Sequence, residues 1–327
     1  MESDIKILFI SAFETPFIRD DLTILEKSFE VRKQIGHGVS AILKIIIGAF
    51  SADLLFCWFA SVYASIGVAI GKIFGTESII VVGGVDVAKE KDLGYGIWLS
   101  PWRSVLVRYA LRHADRVLVV DPSLRTDAIN LAGYDGWNIQ YIPTGYDSFF
   151  WKSVGDKEPV VLTVAVANDV SRFKIKGIDI LIEAARRLPQ TTFVVIGVNL
   201  DLALRLRPPL NIHFHSLMSR VELLPFYRQA KIYCQPSRRE GLPNTLCEAM
   251  LCECIPIATD VGGNRTAVGD AGLLIPSGDV NALCSAIGEA MRFPAGLGAK
   301  ARARVVSLFP REKREMELNR IIMELLA

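Results

Sequence analysis

The chain has 327 residues, enough for two domains at roughly 150 residues each, so a disulfide-stapled miniprotein is excluded. Its 37 lysines and arginines against 35 acidic residues give a net charge of +2; neither a polybasic nucleic-acid coat nor an acidic disordered tail fits, and no nucleic-acid partner is expected. Hydrophobic residues make up 51% of the chain, rich enough to raise the question of a membrane surface.

The opening Met1-Glu2-Ser3-Asp4 is acidic where a secretory signal is basic, and Lys6 interrupts the apolar run over 5–13, so no export signal is expected. Short apolar runs suited to buried strands recur at 5–11, 54–59, 79–82, 116–120 and 139–142, with helical patterns between them. The uncharged LLFCWFASVYASIGVAIG between Asp53 and Lys72 approaches the ~18 residues of a membrane span. A strand over 54–59 followed by a helix over 60–74 preserves the surrounding rhythm and is the reading adopted. The turn formers and charges of PTGYDSFFWKSVGDKEP, residues 143–159, mark an interdomain linker. Beyond it the rhythm resumes with strands at 160–166, 192–196, 212–215, 232–235, 255–258 and 273–275.

Strands alternating with helices imply right-handed crossovers and parallel sheets covered on both faces. The expected fold is α/β, two Rossmann-like doubly wound domains: residues 1–150, residues 151–310, and a C-terminal helix over 311–327 packing back on the first domain. This architecture puts ligands at the carboxyl ends of strands, in a cleft that two such domains face. No GxGxxG fingerprint follows a strand, and GVAIGK (67–72) lacks the spacing and the Ser or Thr of a P-loop.

The richest loop follows the strand at 231–235: PSRREGLPNTLCEAM. Gly241 after Glu240 permits close backbone approach, and Pro243 suits a first helical turn. A helix starting there aims its N–H groups and partial positive charge at a ligand, which suits a diphosphate or sugar hydroxyls. Glu248, nearly two turns on, returns a second carboxylate.

EGLPNTLCE, followed by AMLCECIPIATDVGGN and AGLLIPSGD, resembles the retaining glycosyltransferases of family 4, the glycosyl transferases group 1, which have the GT-B fold. IPTGYDSFF (142–150) and KGIDILIEAARRLP (176–189) are similar to further segments of that family, so the likeness runs along most of the chain. The resemblance implies transfer of a sugar from a nucleotide diphosphate-sugar to a hydroxyl acceptor: a glycan, a lipid-linked acceptor or a small molecule. It implies Glu240 on the donor sugar, Glu248 on the ribose and Lys176 on the diphosphate, with Gly241, Leu242, Pro243, Asn244 and Thr245 lining the donor. The nucleotide-sugar is a co-substrate; no other cofactor and no metal are expected, and no Asp-x-Asp motif is read.

The chain departs from the family at three places. The usual Gly-Arg after the first donor-domain strand is missing, leaving Arg172 or Lys174 as candidates for a second phosphate contact; Asn264-Arg265-Thr266 replaces the apolar-Pro-Glu after Gly262-Gly263; and CWFASVYA (57–64) lacks the family's histidine. These departures motivate the alternative of a catalytically weak or inactive nucleotide-sugar-binding scaffold. A sugar-nucleotide epimerase or a phosphorylase is a third reading. On the acceptor side, Glu14, Arg19 and Asp20 follow the first strand, as candidates or as part of a helix capped at Asp20 or Asp21, and Asp86 follows Gly83-Gly84.

Other features read as structural. His213 and His215 share a strand face without a third ligand, and the six cysteines lack paired spacings, as thiols in a reducing cytoplasm do. Basic and acidic residues interleave from Arg292 to Arg320, as on an amphipathic final helix. Arg103, Arg108, Arg112 and Arg116 form either a solvated helix face or a patch for anionic lipid headgroups. The expected location is the cytoplasm, with peripheral contact at the inner face of an anionic membrane as its extension.

Overall fold

A computed structural model describes residues 5–294 and 296–327, in two compact units, one of 1–144 with 311–327 and the other of 145–310. The first unit runs β1 (Lys6–Ser11), α1 (Pro16–Glu26), β2 (Glu30–Ile35), α2 (Val39–Phe50), β3 (Leu54–Trp58), α3 (Val62–Phe74), β4 (Glu77–Val82), α4 (Pro101–His113), β5 (Arg116–Val119), α5 (Pro122–Ala132) and β6 (Ile139–Tyr141). All its strands are parallel, in the order β2-β1-β3-β4-β5-β6. β1, β3 and β4 are apolar and buried because helices cover both faces of the sheet.

The 54–71 run is thus β3 and α3, and among the described residues no helix is long and apolar enough to cross a membrane. Ser61 caps α3, accepting a hydrogen bond from the Ala64 N–H, and Gly75 ends it in the left-handed region. One strand escapes the sequence pattern. β2, EVRKQI, is polar and mostly exposed because it is an edge strand paired only with β1.

The second unit runs β7 (Glu158–Ala167), α6 (Val170–Ile175), α7 (Ile178–Arg187), β8 (Thr192–Val198), α8 (Leu200–Arg205), β9 (Ile212–His215), α9 (Arg220–Gln229), β10 (Ala230–Gln235), α10 (Asn244–Leu251), β11 (Ile255–Thr259), α11 (Gly263–Val268), β12 (Leu273–Ile275), α12 (Val280–Arg292) and α13 (Gly296–Leu308). Its parallel order is β12-β11-β10-β7-β8-β9, which puts β10 and β7 in the middle. Residues 145–157 belong to this unit and are packed rather than tethering. Trp151 is buried, and the Arg302 guanidinium donates to the carbonyls of Ser148 and Trp151.

α14 (Arg311–Leu325) occupies the stretch read as a C-terminal helix over 311–327, while the charges interleaved from Arg292 to Arg320 spread over α13 as well. Within the first unit α14 packs on α1 through the buried Arg314. Its guanidinium donates to both Asp21 carboxylate oxygens and to the carbonyls of Ile142 and Pro143, and lies 5.8 Å from the Trp58 ring centroid. The Trp58 indole donates to the same Asp21 at 2.9 Å. The cap expected at Asp20 or Asp21 is therefore corrected: α1 begins at Pro16 with Thr15 in the cap position, and Asp21 is a buried ion-pair partner inside the helix.

Candidate active site

In the second unit the loop from Pro236 to Pro243 leaves the carboxyl end of a central strand, where the polar ends of a parallel sheet stay open to ligands. Two glycines let neighbouring backbone close on it. Gly177 has φ +67°, and a Cβ there would lie 1.9 Å from the Pro236 carbonyl; a Cβ on Gly263 would lie 2.1 Å from that of Gly241. Arg238 adds a two-pronged bond to the Asp179 carboxylate at 2.8 and 2.7 Å, fastening the loop to the first turn of α7.

The closeness at Gly177 brings its neighbour Lys176 to the loop. The Lys176 ammonium donates to Glu240 Oε1 at 2.6 Å, and the same oxygen accepts from Gln235 Nε2 and from Ser237 Oγ, both at 2.7 Å. Three donors thus converge on one oxygen of a largely buried carboxylate and fix its plane. Gln235 is itself held, because the Tyr233 hydroxyl donates to Gln235 Oε1 at 3.1 Å while accepting the Val164 N–H at 3.2 Å. Burial pushes the Tyr233 phenol far above its ordinary range, so it serves as a neutral hydroxyl.

Glu248 lies on α10 and is only 4% exposed. Arg220 Nε, from the first turn of α9, is 3.3 Å from its Oε1, and the Tyr227 hydroxyl donates to Oε2 at 3.2 Å. Burial, then the Glu248 charge, raise the Tyr227 phenol. Gly241, Leu242 and Pro243 are buried in the loop. Pro243 occupies the cap position, one residue before the expected first turn, and no side chain caps α10. Asn244 accepts from the Tyr146 hydroxyl at 2.9 Å, and Thr245 bonds to Tyr233.

Of the three basic candidates in the 172–176 stretch, only Lys176 is drawn to Glu240. Arg172 and Lys174 are exposed; Arg172 lies 3.8 Å from Asp169, whose carboxylate caps α6. The Asn264 departure has a structural use. Asn264 is fully buried and donates to the Thr259 carbonyl at 3.0 Å, while the Thr259 hydroxyl donates to the Ser237 carbonyl under the loop.

Sequence reasoning missed Gln235, Ser237, Tyr233, Tyr227 and Arg220. Ser237 and Gln235 lie within the quoted loop or its strand and carried a signal; Arg220 and the tyrosines reach their partners only through the fold.

The acceptor-side candidates of the first unit do not gather. Glu14 and Arg19 form an exposed pair at 2.6 Å. Asp86 is buried, and its carboxylate accepts the N–H groups of Ala60 at 3.0 Å, Gly84 at 2.7 Å and Gly83 at 3.4 Å, so it holds the loop together. Burial outweighs these bonds and pushes its carboxyl up to about 6. Beside it, Phe59 takes φ +67°, a strained conformation for a side chain of this size. Its ring meets Phe13 at 5.3 Å and Phe17 at 6.4 Å, forming a partly exposed aromatic surface just past β1 and β3. His213 and His215 lie on β9, and among the described residues no group of three His, Cys, Asp or Glu gathers as a metal site.

Residues 158–292 match the family model described as glycosyl transferases group 1. The chain is 27% identical over 173 residues to alpha-galactosylglucosyldiacylglycerol synthase of Streptococcus pneumoniae, covering 46% of each chain. It is 28% identical over 224 residues to the D-inositol 3-phosphate glycosyltransferase of Mycobacterium leprae, covering 62% of this chain and 52% of that one. It thus spans about half the length of these relatives. The fold matches the Anabaena HepE structure in complex with UDP and glucose, with a TM-score of 0.80 at 17% identity, over 98% of this chain and all of that one. Sucrose-phosphate synthase of Thermosynechococcus elongatus matches with a TM-score of 0.80 at 18% identity, over 99% of each chain. Residues 158–292 are therefore similar to the glycosyl transferases group 1, and the fold is of the GT-B class.

Proposed function

We propose that the protein is a glycosyltransferase that moves a sugar from a nucleotide diphosphate-sugar to a hydroxyl acceptor with retention of configuration. The observation that carries this reading is the convergence of Lys176, Gln235 and Ser237 on Glu240, with Glu248 buried on the next helix. Glu240 Oε1 is occupied by protein donors, which leaves Oε2 to accept from a donor-sugar hydroxyl. Lys176, whose ammonium can be shared between Glu240 and a phosphate oxygen, stabilises the charge that grows on the leaving diphosphate. Glu248 takes the ribose hydroxyls. Arg172 and Lys174 are exposed enough to reach a second phosphate.

In the reaction the bond from the anomeric carbon to the diphosphate oxygen breaks and one to the acceptor oxygen forms on the same face. The acceptor's proton passes to the leaving phosphate, and Lys176, rather than a divalent metal, carries the charge that grows on the diphosphate. Glu14 and Arg19 remain acceptor-side candidates by position, while the surface of Phe13, Phe17 and Phe59 favours an acceptor with an apolar face. The cytoplasmic face of a membrane belongs to the same proposal, supported by Arg103 beside the exposed Trp102 on α4.

The test is a thermal-shift screen of nucleotide diphosphate-sugars, beginning with uridine diphosphate-sugars because HepE binds UDP and glucose. A donor at ~100 times its dissociation constant adds about 2.7 kcal/mol of stability. Transfer to a hydroxyl acceptor with the anomeric configuration retained, and insensitive to chelator, completes it. Binding without transfer or donor hydrolysis would favour the inactive scaffold, and inversion at the anomeric carbon would overturn retention.

A further inference from the structure

We infer that α2, with the end of α3, is a membrane-docking face that takes the headgroup and acyl boundary of an anionic bilayer. A helix on a sheet normally buries one apolar stripe and turns charge outward. α7 does so, burying Ile178, Leu181 and Ile182 while Glu183 pairs with Arg186 and Arg187 at its surface.

α2 breaks that rule. It buries Ala41, Ile45 and Ala49, yet Val39, Leu43, Ile46, Ile47 and Phe50 are exposed, with Val39, Ile47 and Phe50 each more than 70% open. These positions follow the spacing i, i+4, i+7, i+8 and i+11, so they line one outward stripe. At the end of the stripe the Phe50 ring meets Phe74 of α3 edge-on at 5.3 Å, and Ile73 beside it is exposed. Contiguous exposed apolar surface of this kind marks an interaction site.

The charge around the stripe selects the occupant. α2, α3 and α4 pack side by side and carry Lys44, Lys72, Arg103, Arg108 and Arg112 without a single Asp or Glu. Three of these side chains have protein partners: Lys72 pairs with Asp115, while Arg108 and Arg112 donate to carbonyls at the end of α5. That leaves Lys44 on α2 and Arg103 on α4 as the principal headgroup contacts. Arg103 lies 5.2 Å from the ring centroid of Trp102, an exposed aromatic of the type that settles at a bilayer interface. A second copy presenting this face would set like charges against each other. Anionic headgroups complement the basic residues, and acyl chains accept the apolar stripe.

This face belongs to the first unit and the donor-site residues to the second; the inference deepens the membrane location of the proposed function, and its test reads vesicle binding apart from sugar transfer. The experiment is sedimentation of the full chain with vesicles of phosphatidylcholine containing one-quarter phosphatidylglycerol, at low and high salt. The expected result is binding at low salt that weakens on neutral vesicles and in high salt, because screening acts over a Debye length of ~10 Å at 0.1 M. The double variant Ile47→Glu, Phe50→Glu should lower vesicle partitioning by at least ~tenfold, since each change removes buried apolar area and adds a charge that anionic lipid repels. Its melting temperature and its nucleotide-sugar thermal shift should match those of the parent, because both side chains are exposed. Failure of the parent to sediment, or equal sedimentation of the variant, overturns the inference. So does a parent that stays off vesicles and elutes as a dimer that Phe50→Glu dissociates, which would assign the face to a second copy. Vesicle binding with no response to any nucleotide-sugar would instead sink the proposed activity and leave the docking face standing.

Discussion

Glu240 is largely buried and Glu248 buried, each opposite a cation, and the proposed function gives them different roles. Glu240→Ala is expected to lower turnover by about two orders of magnitude while nucleotide binding is largely kept, as for loss of one preorganised transition-state contact. Glu248→Ala should instead weaken the nucleotide, read as a smaller thermal shift with the diphosphate alone. Full activity in both variants would refute the assignment. Gln235 donates to Glu240 Oε1, so under the proposed function it is a positioning residue. Gln235→Leu removes one donor to a charged oxygen and leaves the Tyr233 hydroxyl without that acceptor, which should cost about tenfold in kcat with little change in donor KM. A larger KM with unchanged kcat would mean that Gln235 only shapes the pocket. Glu240, Gly241 and Pro243 of the loop and Glu248 of α10 could be recognised from sequence because their spacing carries chemistry. Arg220 could not, since it is a lone basic residue until α9 is laid beside α10.

Among the elements, buried strands read clearly wherever both faces are covered, as in β1 and β3, where burial demands a run of apolar residues. β2 did not, because an edge strand has only β1 to satisfy and its polar side chains stay in water. The charges interleaved from Arg292 to Arg320 spread over α13 and α14, and between them at 309–310 Phe309 is buried with its carbonyl accepting the Tyr146 N–H. α14 is anchored by a charge pair, Arg314 with Asp21, that is almost wholly dry. Arg314→Met alone should destabilise the first unit by about 3–5 kcal/mol, because Asp21 is left as an uncompensated buried charge. Adding Asp21→Leu should recover most of that loss, measured by denaturant unfolding. Equal stability of single and double variants would show that the packing of α14, rather than the pair, sets the cost.

At the scale of the whole molecule, stability should depend on pH through Asp86. Its folded carboxyl is raised by burial from 3.8 to about 6, so between these values the folded state holds a proton that the unfolded state has released. Its contribution is therefore greatest at acid pH, falls as pH rises towards about 6 and is flat above it. In Asp86→Asn that slope should vanish, and an amide nitrogen facing a backbone N–H should lower stability by about 1–3 kcal/mol at neutral pH. A variant that keeps the parent's slope would show that another group titrates there. Period, length and motif spacing are local quantities, so the α/β rhythm, the likeness of the 158–292 stretch to the glycosyl transferases group 1 and the spacing of Glu240 and Glu248 could be read along the chain. That Arg314 reaches Asp21, that Arg220 faces Glu248 and that Asp86 closes a loop on backbone N–H groups became visible in the folded chain, where residues far apart in sequence meet. The fold also shows that the apolar positions of α2 lie on two faces, one buried and one open. Which apolar residue is covered depends on what the rest of the chain lays over it, and that is not a property of the residue or its neighbours in sequence.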